Sequence, residues 1–140
     1  MSNYSQVFDG LETVLEAGIS GLKVYKHPPD SISHSPAIIL VPDSFDPERA
    51  FAGNSFEGNV RMIYLLSSAD PASGWAQLYD AIDPTTGSKS VIKAIRDNAG
   101  IDGKVDSAGV TMVENIGKRE YAGGNYFGAD FVLTFYKSVA

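Results

Sequence analysis

GLKVYKHPPDSISHSPAIILVP, residues 21–42, holds two strands and the turn between them, and the rest of the fold is read outward from it. Residues 22–26 form a short strand that ends before Pro28-Pro29, because proline has no N–H to give to a ladder. Asp30 and Ser31 suit the turn that follows. Residues 37–41 are apolar at every position, which predicts a strand covered on both faces. Pro42 stops it.

Upstream, Val7, Phe8, Leu11, Val14 and Leu15 fall at spacings that make one apolar stripe of a helix facing the core. Ser5 is placed to cap that helix, and Gly18 and Gly21 to close it. Downstream, residues 58–67 read as a strand with Val60, Met62, Tyr64 and Leu66 on one face and Arg61, Ile63 and Leu65 on the other. Asp70-Pro71 opens a second helix, with the aspartate as cap and the proline in the first turn. Trp75, Leu78, Tyr79 and Ile82 follow at helical spacing, and Asp83-Pro84 ends it. A third helix over 88–98 buries Val91, Ile92 and Ile95. Two strands, 109–115 and 129–138, finish the chain, the last with Phe131, Leu133 and Phe135 on one face and Val132, Thr134 and Tyr136 on the other.

These elements predict a single α+β domain over residues 1–140, in the order α-β-β-β-α-α-β-β. Strands joined by short links are expected to be antiparallel, giving a mainly antiparallel sheet of about five strands with the helices on it. At 140 residues such a domain buries about 70% of the surface its unfolded chain exposes. Hydrophobic residues make up 44% and charged residues 20%, the proportions of a soluble globule and not of a disordered tail. No apolar run reaches the roughly 20 residues a bilayer span needs, and MSNYSQVFDG has no secretory-signal pattern. Cysteine is absent, which removes disulfides, thiolate zinc sites and cysteine nucleophiles and is compatible with a reducing cytoplasm.

The net charge of −6 argues against a partner gripped through its phosphates, since such affinity comes largely from lysine and arginine. The eleven basic residues are scattered, and Lys118-Arg119 is their only adjacent pair. An acidic surface can still lie beside DNA if its task is to let the DNA pass.

Two segments are read as long loops. Residues 43–59 lack periodicity and carry Phe45, Arg49, Phe51 and Phe56. These rings either tuck back as a satellite cluster or meet something outside the subunit. Residues 116–128 carry Lys118, Arg119, Tyr121, Tyr126 and Phe127 among four glycines, and are either a long hairpin turn or a second contact loop.

Catalytic constellations are incomplete everywhere. HPPDSISH places His27 and His34 around a turn with no zinc spacing, and a surface turn explains both. The G-x-S-x-G of a serine hydrolase is missing. The run Gly123-Gly124-Asn125-Tyr126-Phe127-Gly128 is no phosphate loop and leads into a strand. IDGKVDS lacks the ligand pattern of a calcium loop, and a tight Asp102-Gly103 turn accounts for it. No catalytic residue, cofactor or metal is expected.

With these runs in hand, the chain resembles the tail terminator proteins of long-tailed, noncontractile bacteriophages. The likeness covers nearly the whole chain: the short N-terminal helix, GLKVY, PPDSI, AIILVP, VRMIYLLSS, GWAQLYDAID, GSKSVIKAI and GGNYFGADFVLTF come in the order of that family. The motifs are structural and not chemical, so it is their order that is informative. The resemblance implies a structural virion protein at the tail–neck junction, made in the host cytoplasm. It further implies a homo-oligomeric ring of six copies that caps the tail tube protein, ends its polymerisation and meets the head–tail connector or stopper protein. DNA would pass through the lumen without sequence-specific binding, and no membrane is involved. Six copies multiply the acidic charge, which would limit sticking of DNA phosphates. The family brings no catalytic residues. The two long loops, with the nine residues named in them, are the expected contacts between subunits. The alternatives are another head–tail joining or tube protein, and a small cytoplasmic enzyme or ligand-binding domain.

Overall fold

The computed structural model describes residues 3–46, 55–68, 70–85 and 87–138. Eight elements follow one another: α1 (Asn3–Gly18), β1 (Lys23–Tyr25), β2 (Ala37–Asp46), β3 (Ser55–Leu66), α2 (Pro71–Ile82), α3 (Val91–Arg96), β4 (Ser107–Tyr121) and β5 (Gly124–Ser138). The expected class and element order are both found. The five strands form one sheet in the order β1-β2-β3-β5-β4, and every neighbouring pair is antiparallel except β1 with β2.

That parallel pair corrects the expectation for short links. Lys23 lies beside Ala37 and Tyr25 beside Ile39, so connector 26–36 must carry the chain back to the start of β1 before β2 begins. It is tied down by Tyr25 and Ser33 hydroxyls 3.4 Å apart, by Ser67 N–H donating to Ser35 Oγ at 2.7 Å, and by Tyr121 Oη donating to the Pro29 carbonyl at 2.6 Å. The first helix also starts earlier than expected, at Asn3, so Ser5 lies inside it and does not cap it.

The other helix signals behave as their chemistry dictates. Asp70 caps α2 by accepting from Ala72 N–H, with Pro71 at the first position, where a missing N–H costs nothing. Ser90 caps α3 by accepting from Lys93 N–H, and its own hydroxyl donates to the Asp83 carbonyl, joining the end of α2 to the start of α3. α3 is shorter than the expected 88–98, and Ile92 is only half-buried.

The three helices cover one face of the sheet. Val7, Leu11 and Leu15 of α1, Leu78 of α2 and Val91 and Ile95 of α3 are buried with Val60, Met62, Tyr64, Phe131, Leu133 and Phe135 of the strands. The alternation read from β3 and β5 is thereby confirmed. Ala37 and Ile39 of β2, which point to the other face, are also fully buried, as an all-apolar strand requires.

The two long loops are corrected. β2 runs on through Asp46 and β3 starts at Ser55, paired across Phe45 and Gly58, so residues 43–46 and 55–59 are strand, with a bulge after Pro42. β4 and β5 pair from Ser107 to the two-residue turn Ala122-Gly123, so segment 116–128 is the end of one long hairpin. Sequence periodicity failed there because bulges break it: β4 shifts register between Val110 and Met112 and again between Glu114 and Gly117. Asn115 (φ 55°) and Gly117 (φ 140°) take up the left-handed backbone at the second shift.

Candidate functional site

The face of the sheet turned away from the helices is held by charge. Asp130 sits in the middle of β5 with its side chain only 4% exposed. It accepts from Arg61 Nη1 at 3.1 Å, from Asn115 Nδ2 at 2.9 Å and from Arg119 Nη1. Three donors around one buried carboxylate satisfy it fully, which a buried charge requires. Arg61 also meets Glu114 at 2.7 Å and Asp43 at 3.9 Å. The hydrogen bond that Arg61 donates to Glu114, joined by the one it donates to Asp130, raises the pKa of its guanidinium above the ordinary value. The cluster therefore ties β2, β3, β4 and β5 together, and Asn115 enters it through the bulge.

A second row crosses the same face. Asn59 Nδ2 donates to Ser44 Oγ at 2.6 Å, Thr134 Oγ1 donates to Asn59 Oδ1 at 2.6 Å, and Thr111 and Thr134 hydroxyls lie 3.3 Å apart. Beyond it, Met112 is 56% exposed and Ile116 46% exposed, both on β4 at its irregular positions. On the helix layer Tyr79 is 57% exposed and its ring lies 5.9 Å from that of Trp75. Gly117 brings β4 against Trp75, where an added Cβ would lie 3.6 Å from the indole.

Between the β4–β5 turn and the start of α2 lies an open cleft of about 520 Å³, lined by Ser68, Pro71, Lys118, Arg119, Glu120, Asn125, Tyr126 and Phe127. Its polar groups do not converge on a reacting centre. Arg119 is committed to Asp130, and Lys118 and Glu120 line the cleft with opposite charges.

The expected contact residues divide sharply. Lys118 is exposed and Tyr126 half-buried beside the cleft. Arg119 is invested in Asp130. The Tyr121 hydroxyl is invested in the Pro29 carbonyl, and burial, with Asp30 adding to it, raises that phenol's pKa. Phe127 belongs to the core: it is 6% exposed and meets Trp75 edge-on at 5.6 Å. Gly74 makes room for it, since a Cβ there would stand 2.4 Å from the Phe127 ring. Within the subunit, Phe127, Arg119 and Tyr121 thus have internal neighbours, because the segment is strand and its alternate side chains lie beside those of the paired strand. Arg49 and Phe51 lie outside the described residues, as do the side chains of Phe45 and Phe56.

Sequence reasoning missed Asp130, Arg61, Met112 and Ile116. The signal for Asp130 was a lone carboxylate within the apolar run GADFVLTF. Met112 and Ile116 gave none, since an apolar residue in a strand reads as core until the bulges are known. His27 and His34 are exposed, with His34 Nδ1 3.2 Å from Ser33 Oγ. Among the described residues no group of three or more His, Asp or Glu is placed to hold a metal, and no helix is long and apolar enough to cross a membrane. The chain matches no known protein family and no curated protein sequence.

Proposed function

We propose that this protein is a structural component of a phage tail, a terminator that closes into a six-membered ring on the tail tube. The ring ends tube growth, meets the head connector and lets DNA through its lumen. One observation carries the reading: the sequence runs that resemble tail terminators are the architectural parts of this fold, in the same order. GLKVY is β1, AIILVP opens β2, VRMIYLLSS is the body of β3, GWAQLYDAID is α2 and GGNYFGADFVLTF is β5.

The surface supports the reading in two ways. Apolar side chains are exposed on both layers: Met112 and Ile116 on β4, and Tyr79 on α2 beside Trp75. Aromatic and aliphatic groups of this kind anchor protein contacts when flanked by polar residues. The arginines of the open sheet face are occupied by carboxylates, so they offer little grip to a passing polyanion.

Electron microscopy of the purified protein, with its mass in solution, tests the proposal. Rings of one size are expected. Open filaments would make it a tube subunit, and a monomer at every concentration would overturn the ring. Met112→Glu is expected to keep the fold by circular dichroism and lose the rings.

A further inference from the structure

β1 is one free edge of the sheet, and an unpaired edge strand is a template onto which another chain can add. In a parallel pair, alternate residues turn their N–H groups toward and away from the neighbour. Lys23 N–H donates inward to the Pro36 carbonyl at 3.2 Å, so the N–H of Val24 is the one that faces outward from this three-residue strand. That N–H is occupied: it donates to Glu16 Oε2 at 2.9 Å in a partly buried contact. Lys26, bound to Asp9 at 2.9 Å and to Glu12 at 3.8 Å, fixes the end of β1 to the same helix.

From this geometry we infer that Glu16 is an edge guard, an autoinhibitory contact that keeps a strand of a second copy from extending the sheet at β1. One carboxylate suffices because β1 is short and presents a single outward donor. The opposite edge is protected differently, by the two register shifts of β4, which twist an edge away from flat pairing. Copies of this chain therefore meet through side chains and not by continuing one another's sheet, and association stays finite.

The test compares Glu16→Ala with Glu16→Gln, which keeps an acceptor oxygen, by hydrogen exchange at the Val24 amide and by sedimentation over rising concentration. In Glu16→Ala the amide is expected to exchange about tenfold faster, and species larger than those of the parent chain to grow with concentration. Glu16→Gln is expected to behave as the parent. Unchanged exchange in Glu16→Ala overturns the guard, as does faster exchange without new association. Association of Glu16→Gln to the same extent as Glu16→Ala also overturns it, since charge alone would then be the barrier. None of these outcomes touches the ring proposal, which falls only if the parent chain forms no ring.

Discussion

On the helix side of the sheet, Met62, Tyr64, Phe131, Leu133 and Phe135 meet three helices and exclude water. On the other side, Arg61, Asp130 and Thr134 meet polar groups of the neighbouring strands: Arg61 with Asp130 and Glu114, Asp130 with Asn115 and Arg119, Thr134 with Asn59 and Thr111. The same two strands build both faces, since successive side chains point opposite ways. One face gains its stability from non-directional burial, roughly 2–3 kcal/mol for each large apolar side chain. The other gains specificity: Asp130 accepts only donors at set positions, and so fixes the register of β3, β4 and β5 across a bulge. The difference teaches where each face tolerates change.

The largest effect is expected on the hydrocarbon side. Phe131→Ala empties a fully buried site and should lower unfolding free energy by about 4 kcal/mol in denaturant titration. On the charged side, Asp130→Ala takes the acceptor from Arg119 and Asn115 and leaves Arg61 with only Glu114 and Asp43, and should cost about 3 kcal/mol. Replacing the cluster together, as Asp130→Leu with Arg61→Met and Arg119→Met, should recover most of that loss while loosening the β4 register, visible in amide exchange. A triple variant as unstable as Asp130→Ala would break the comparison.

Tyr64 sharpens it through pH. Burial, with Asp80 adding to it, pushes the phenol up from 10.0 to about 12, so the folded chain prefers the neutral form. The unfolded chain releases that proton first. The resulting stability, about 3 kcal/mol, is complete below about pH 10 and declines as pH rises through about 12. Equilibrium unfolding across that range should show the decline, and Tyr64→Phe should remove this share of it. The smallest effect is expected from the hydroxyl row: Thr134→Val breaks the bond to Asn59 and should cost about 1 kcal/mol in the same titration.

Legibility followed the same division. The apolar stripe of α1, the caps Asp70 and Asp83, and the alternation of β3 and β5 could be read because each rests on contacts a few residues apart. Phe127 could not be placed, because whether a ring after two glycines is loop or core depends on Gly74, far away in the chain, leaving room for it. The charged cluster was equally hidden, since Asp130 and Arg61 are brought together only when β3 pairs with β5.

Local chemistry alone thus settled the class of fold, the order of its elements and the side of β3 and β5 that goes inward. Periodicity and capping act over a turn or two of backbone, and those interactions are written in consecutive residues. Only the folded chain decided that β1 runs parallel to β2, that strands extend into both supposed loops, and that Glu16 holds the outward N–H of β1. Each of these depends on hydrogen bonds between residues distant in sequence, whose geometry exists only once the sheet has formed.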